Sequence, residues 1–226
     1  MFKIIDGSIV PENYFINCEI LENKVKDIGT FCPVNIKEWR DWLAAHHELK
    51  SSVWLVYGKK GSGLPSITWS EAVDEALCFG WIDSIRKPID KERFMQFFCK
   101  RKPNSIWSKI NKEKVKRLLA QKLIAKVGLE TIKKAKQNGS WTALDAVETL
   151  KIPKDLALEF KNSKDAKIFF LGLSKSAKKA ILQWIVMAKK AETRQNRILE
   201  VVKSSSENIL PKQFLPLGGK PSKLAV

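Results

Sequence analysis

The sequence predicts an α+β fold that is mostly helical, with a small antiparallel sheet among helices in the N-terminal half and a helical C-terminal region. Two observations predict it. Runs rich in β-branched and aromatic residues, such as "SVWLVYGKK" and "RFMQFFCKRK", fall in the first hundred residues. After them, apolar residues recur mainly at helical spacing. With 226 residues, 44% of them hydrophobic, the chain is long enough to bury a sizeable core.

Changes in composition divide the chain into four segments. We expect an N-terminal extension over residues 1–30, which alternates short apolar groups with turn residues and could include a strand pair. An α+β domain follows over 31–145, and a basic helical region over 146–210. Residues 211–226 are rich in Pro and Gly and are predicted to be a flexible tail.

Capping signals mark the elements of the N-terminal half. Asn35, followed by Glu38 three residues later, predicts the start of a helix before the strand "SVWLVYGKK". Thr68 and Glu71 form a T-x-x-E capping box, and Gly80 is a suitable C-terminal cap, so a helix lies between them. Two strands, "WIDSIRKPID" and "RFMQFFCKRK", complete this half.

The C-terminal half reads as successive helices. Ser105 is the cap predicted for the first, Asn138-Gly139 ends the second, and Pro153 opens the fourth. The predicted helices span residues 105–120, 127–137, 145–150, 153–161, 163–172 and 175–203.

The stretch "ITWSEAVDEALCFGWIDSIRK" raises the question of a catalytic site, because it is acidic within a basic chain. On a helical wheel Glu71, Asp74 and Glu75 lie opposite the apolar stripe, close to the positive N-terminus of their helix. We interpret them as a solvated acidic face rather than as an acid/base pair.

Asp83 follows the helix cap and starts a different group. With Arg86, Arg93 and Gln96 it is predicted to meet on one face of the sheet beside Trp81. Aromatic and polar groups that converge beyond a helix end are typical of a ligand or partner pocket. The predicted pocket comprises Trp81, Asp83, Ser84, Arg86, Arg93 and Gln96.

The loop "GKKGSGLPS" joins a strand to a helix N-terminus and is a candidate anion site. Its candidate residues are Lys59, Lys60, Gly61 and Gly63. The loop has neither the P-loop pattern nor the dinucleotide pattern, and a plain flexible turn is the alternative.

Metal and cofactor binding find no support in the sequence. The two histidines, His46 and His47, are adjacent, so on a helix they point about 100° apart and cannot hold one metal from the same face. The four cysteines have no paired spacing, and we expect reduced thiols: Cys18, Cys32, Cys78 and Cys99. We predict no metal and no cofactor.

Glu192 is predicted to act as a structural clamp. In a continuous helix over 175–203 it points with the apolar stripe, and a buried carboxylate needs a partner. Arg or Trp side chains of the N-terminal half are the expected partners.

The charge is concentrated in the second part of the chain. Residues 1–99 hold 12 basic and 14 acidic side chains, whereas residues 100–226 hold 29 and 10. Any attraction to phosphate therefore belongs to the later part. We expect no signal peptide and no membrane span, and hence a soluble, cytoplasmic protein.

Several segments resemble a known family. They are "VWLVYGKKGSGLPSITWSEAVDEALCFGWIDSIRK", "RFMQFFCKRKPNSIWSKIN", "AKQNGSW" and "LSKSAKKAILQWIVMAKKAETRQNRI". Together, over about residues 31–210, they are similar to the YdeI/OmpD-associated (bacteriocin-protection) family. The resemblance implies a stress-linked accessory protein, associated with resistance to cationic antimicrobial peptides or bacteriocins, with no established reaction.

Three functional hypotheses follow. The first is a non-catalytic stress-tolerance accessory protein that binds an unidentified protein or small ligand at the predicted pocket. The second is a nucleic-acid-binding protein that uses the basic region 100–210. The third is an enzyme of unrecognised type with its site at Trp81, Asp83 and Arg86.

Overall fold

A computed structural model describes residues 28–215 and the backbone of residues 2–5 and 8–11. The chain forms two compact units, residues 1–141 and 142–226, and each is described by itself. Most of the predicted tail, residues 216–226, lies outside the described residues. The segment limits predicted from the sequence remain predictions.

The first unit contains a strand pair and a four-stranded sheet. The pair joins β1 (Phe2–Ile5) and β2 (Ser8–Pro11) in antiparallel fashion. The sheet consists of β3 (Thr30–Phe31), β4 (Ser52–Gly58), β5 (Trp81–Pro88) and β6 (Arg93–Lys100), in the order β3-β4-β6-β5.

This sheet is mixed, whereas the sequence predicted an antiparallel one. β3 runs parallel to β4, and the two other pairings are antiparallel. The parallel pair is possible because helix α1 (Ile36–His46), which lies between β3 and β4, carries the chain back to the end of the sheet at which β3 begins.

The remaining helices of this unit are α2 (Trp69–Cys78), α3 (Lys109–Ala120) and α4 (Lys126–Gln137). The predicted capping box is confirmed, since the Thr68 side chain accepts a bond from the Glu71 backbone and the Glu71 carboxylate accepts one from the Thr68 N–H. For α3 the predicted cap is wrong. Ser108, not Ser105, accepts the bond from the Asn111 N–H, so the helix begins later.

One face of the sheet carries the core, because α1 and α2 pack over it. Strand alternation places every second residue of β4 and β6 on this face. The buried strand residues there are Val53, Leu55, Tyr57, Trp81 and Phe98. They pack with Trp39, Leu43, Ala72, Ala76 and Leu77 of the two helices.

The acidic side of α2 is paired, not solvated as predicted. Glu75 is only 8% exposed, and Arg40 of α1 donates to it at 2.6 Å. Asp74 accepts bonds from Lys114 and Arg117 of α3. The helical wheel failed here because α2 contacts α1, α3 and α4 as well as the sheet, so Asp74 and Glu75 meet neighbouring helices instead of solvent.

The second unit is helical. Its elements are α5 (Asp145–Glu148), α6 (Lys154–Glu159), α7 (Lys164–Gly172), α8 (Lys175–Val186), α9 (Ala191–Ser206) and a 3-10 turn over Lys212–Phe214.

The long helix predicted over 175–203 is two helices, α8 and α9. Two side chains of α9 stabilise the break: Arg197 donates to the carbonyl of Trp184 at 2.5 Å, and Arg194 donates to that of Ile185 at 3.3 Å. These bonds satisfy carbonyls that the end of α8 leaves without intrahelical partners.

The predicted burial of Glu192 is wrong. Glu192 is exposed in the first turn of α9. Its helical phase was extrapolated through residues 187–190, which are not helical, so the predicted apolar stripe does not continue. Two other acids of this unit are paired: Asp155 accepts two bonds from Arg194 at 2.6 and 3.0 Å, and Glu148 accepts one from Lys179 at 2.7 Å.

Cysteine pairing also differs from expectation. Cys32 is in a disulfide, whereas Cys78 and Cys99 are free thiols. Cys18 lies outside the described residues. A disulfide is more usual in oxidising compartments, so the cytoplasmic location stays a prediction. In the described part of the chain, no helix is both long and apolar enough to cross a membrane.

Candidate functional site

Asp83, Arg86 and Gln96 lie on the core-bearing face of the sheet. Asp83 pairs with Phe98 across β5 and β6, and Arg86 pairs with Gln96. Positions three apart normally point to opposite faces of a strand. Asp83 and Arg86 share a face because the register shifts between them, with an extra residue as in a β-bulge.

Asp83 is the centre of a hydrogen-bonded group. Its Oδ2 accepts a bond from Trp69 Nε1 at 2.9 Å and another from Gln96 Nε2 at 3.2 Å. Gln96, only 4% exposed, also donates to the Ser84 carbonyl at 3.0 Å, so it joins both sides of the bulge. Neither bond to the carboxylate uses Oδ1, and Asp83 is half-buried.

A stack of three side chains lies beside this group. The Arg86 guanidinium carbon is 3.8 Å from the centroid of the Phe94 ring. Phe94 stacks in turn on Tyr57, with centroids 4.9 Å apart and planes at 8°. The stack holds Arg86, itself exposed, in a defined orientation.

The hydroxyl of Tyr57 is an unusual feature of the stack. Tyr57 is 1% exposed, and its hydroxyl has no hydrogen-bond partner among the described residues. Burial raises the pKa of Tyr57 far above its ordinary value, and the nearby charge of Asp83 adds to this effect. The phenol therefore remains neutral, with a buried hydroxyl donor.

Two residues of the predicted pocket do not line this group. Trp81 is buried in the core, where its ring packs edge-on against that of Trp42 with the centroids 6.0 Å apart. Its Nε1 has no hydrogen-bond partner within residues 28–215. Arg93 belongs to the hairpin turn, because its Nε and Nη2 donate to Asp90 at 2.9 and 2.6 Å. Ser84 is exposed and contributes its carbonyl.

Sequence reasoning missed Trp69. The predicted pocket does not include Trp69, whose side chain is 49% exposed and contacts Asp83. The signal that could have found it is its place in the first turn, directly after the Thr68 cap. A large aromatic there extends past the helix end toward the neighbouring strand.

Arg101 is a buried cation near the same face. Its guanidinium lies 3.7 Å from the centroid of Trp107, and Nη2 donates to the Ile106 carbonyl at 2.7 Å. Burial lowers the pKa of Arg101 to about 10, while the charge of Asp83 acts in the opposite direction.

The predicted anion loop is partly engaged in packing. Lys59 Nζ donates to the Asp90 carbonyl at 2.7 Å, whereas Lys60 is exposed. Gly61 and Gly63 have φ of 88° and 70°, which only glycine adopts readily. The N-terminus of α2 next to the loop already holds the Glu71 carboxylate. Anion binding by this loop stays a prediction.

Comparison with known proteins separates the two parts of the chain. Residues 32–131, which include "EALCFGWIDS" and Asp83, match a Domain of unknown function (DUF8412). Residues 149–208, which include "AKKAETRQNRI", match the family described as Bacteriocin-protection, YdeI or OmpD-Associated. No curated protein and no solved structure matches the chain. The predicted resemblance to the YdeI/OmpD-associated, bacteriocin-protection family is therefore confirmed on residues 149–208.

Proposed function

We propose that the protein is a non-catalytic accessory protein of the bacteriocin-protection type, which acts by binding a small ligand beside Asp83. The ligand carries both an amine and an acid group, as a short peptide does. The observation that carries this proposal is the half-buried Asp83 carboxylate, whose bonds from the described residues both end on Oδ2. Its other oxygen is the acceptor offered to the ligand.

The amine end of the ligand fits Asp83 and Trp69. An ammonium group gains a charge-assisted hydrogen bond from a carboxylate, and this bond is stronger than one between neutral groups. The Trp69 indole, 49% exposed, directs its N–H edge at Oδ2 of the same carboxylate and so leaves Oδ1 for the ammonium group.

The acid end fits Arg86. A guanidinium binds a carboxylate or phosphate through two parallel bonds, and its stacking on Phe94 reduces the entropy lost on binding. Same-face positions along a strand are about 7 Å apart, which is roughly the extended length of two residues. A dipeptide therefore matches the separation expected between Asp83 and Arg86.

The family resemblance supports the biological context of this proposal. The description of the matched family names bacteriocin protection. In this context the ligand would be a peptide or peptide fragment, and binding it would contribute to tolerance of peptide stress.

Three probes test the site by thermal shift: glycylglycine, putrescine as an amine without an acid, and succinate as an acid without an amine. A ligand that binds only the folded state raises the melting temperature. We expect glycylglycine to raise it more than either single-function probe. Asp83→Asn removes the amine contribution, and Arg86→Ala removes the acid contribution.

Asp41→Asn is the matched control for Asp83→Asn, because Asp41 is an exposed acid of α1 that pairs with Lys37 in its own helix. It should respond to glycylglycine as the parent does. Equal shifts for all three probes, or an unchanged response in Asp83→Asn, would contradict the proposal.

A further inference from the structure

The first unit has a basic groove, separate from the Asp83 group, between α3 and α4. The groove has a volume of about 480 Å³. Apolar carbon lines its floor, where Val115 is buried and Leu119 and Trp141 are partly exposed. The lining residues are Lys109, Lys112, Glu113, Val115, Lys116, Leu119, Lys136 and Trp141.

The indole of Trp141 is held in place from below. Its ring lies 4.9 Å from that of Trp107, which is fully buried, and Arg101 stacks on Trp107 from within the core. The exposed part of Trp141 is therefore a fixed surface that needs no reorganisation to accept a flat ligand. Such preorganisation favours binding, because little conformational entropy remains to be lost.

The positive charge of the groove is arranged along one side of α3. Lys109, Lys112 and Lys116 recur at spacings of three and four, which puts them on one helical face. Together they extend over about 10 Å, the length in which a single nucleic-acid strand carries roughly two or three phosphates. Lys136 of α4 is the fourth lysine of the groove.

Within residues 28–215, neither Lys116 nor Lys136 of the groove takes part in an ion pair. Among the described residues that line the groove, Glu113 is the one acid, and it lies 3.8 Å from Lys109. The other basic side of α3 differs, because Lys114 and Arg117 there are paired with Asp74.

The ring of Trp141 remains accessible despite its basic neighbours. The ammonium groups of Lys136 and Lys112 are 5.4 and 5.9 Å from its centroid. These distances are near the limit of a cation–π contact, about 6 Å, so both contacts are weak and leave the ring accessible, and Lys136 can turn toward a phosphate instead.

From this arrangement we propose that the groove binds single-stranded nucleic acid without sequence preference. One base stacks on Trp141, and the lysines contact the phosphates on either side of it. Stacking on an aromatic side chain combined with phosphate contacts is the usual way in which single strands are bound. A base fits a concave groove with a ring at its floor, whereas a flat lipid surface would reach the lysine tips and leave Trp141 uncontacted.

Fluorescence anisotropy with a labelled oligothymidylate of about 20 nucleotides tests the proposal. We expect saturable binding that weakens as the salt concentration rises from about 20 to 200 mM, with a log–log slope of about −2 to −3 for three or four phosphate contacts. Trp141→Ala should weaken binding at least about fivefold, and Trp141→Phe should retain most of the affinity.

Charge variants provide a matched pair on one helix. Lys136→Glu reverses a charge in the groove, and Lys134→Glu makes the same change two residues away, on the opposite side of α4. We expect the first to weaken binding clearly more than the second. If both weaken it equally, the oligonucleotide senses only the net charge and the groove is not its site.

Two further outcomes would overturn the proposal. One is absence of binding at the lowest salt concentration, and the other is an unchanged affinity in Trp141→Ala. Binding of phosphatidylglycerol vesicles that depends on Trp141, without binding of the oligonucleotide, would assign the groove to lipid and likewise reject it. Asp83→Asn should leave oligonucleotide binding unchanged, so this test is independent of the peptide-ligand site.

Discussion

Trp69 Nε1 donates a 2.9 Å hydrogen bond to Asp83 Oδ2, and this bond joins the first turn of α2 to the edge strand β5. It fixes the carboxylate at the helix end where the indole is still exposed. The proposed site depends on this contact, because it determines which oxygen of Asp83 remains for a ligand.

Trp69→Phe should lower the free energy of unfolding by about 1 kcal/mol, since it removes one hydrogen bond to a charged acceptor but keeps an aromatic ring. Urea unfolding of Trp69→Phe, Asp83→Asn and the double variant measures the coupling. We expect the sum of the losses in the two single variants to exceed the loss in the double variant. Strict additivity would mean that the bond contributes nothing in solution.

Loss of the buried acid of α2 should be costly. Glu75→Ala removes a buried carboxylate and leaves the partly exposed Arg40 guanidinium without its ion-pair partner, and we expect a loss of about 1 to 2 kcal/mol. Asp41→Ala breaks the exposed pair with Lys37 and should change stability by less than about 0.5 kcal/mol. Similar losses for both variants in urea unfolding would contradict the pairing described for α2.

Two helical glycines should respond oppositely to alanine. A Cβ at Gly128 would fall well inside van der Waals contact with the Cys78 carbonyl oxygen, so Gly128→Ala should cost at least about 1 to 3 kcal/mol. A Cβ at Gly172 meets no atom of the described chain within 4 Å, so alanine there should be neutral or slightly stabilising. The melting temperatures of the two variants should be measured and compared. Equal melting temperatures would contradict the close approach of α4 to Cys78.

The second unit should lose stability in acid partly through Asp155. Its bonds with Arg194 lower the pKa of this carboxyl below 3.8, so the stabilisation is complete above that pH. It is lost as the pH falls through the lowered pKa, when the carboxylate is protonated. Asp155→Asn should therefore be less stable than the parent at neutral pH, and the difference should shrink below about pH 4. A difference that is constant from neutral pH to about pH 2 would contradict this account.

Local signals predicted the elements well where the cause is local. The caps at Asn35 and Thr68 depend on bonds within four residues, and both helices begin where these signals indicate. The break between α8 and α9 depends on Arg194 and Arg197 reaching back to carbonyls of the preceding helix. Residues 187–190 contain neither Gly nor Pro, so no local signal marked it.

The candidate site was predictable in part. The hairpin and strand alternation brought Asp83 and Gln96 together, as the structure has them. Arg93 is three residues from Gln96 in a regular strand, so alternation alone already excluded it from their face. Arg86 is also three residues from Asp83, but the register shift between them turns Arg86 to the same face of the sheet as Asp83. A single sequence does not indicate such a shift.

The most direct test of the peptide-ligand site follows the indole N–H signal of Trp69 in ¹H–¹⁵N spectra during titration with glycylglycine. Trp69→Phe assigns the signal, because one indole peak disappears. The account predicts a saturable shift of this peak in the parent protein and in Asp41→Asn, and no such shift in Asp83→Asn. A Trp69 peak that stays in place while the ligand is raised to tens of millimolar, or that moves equally in Asp83→Asn, would contradict the claim that Asp83 binds the amine of a short peptide.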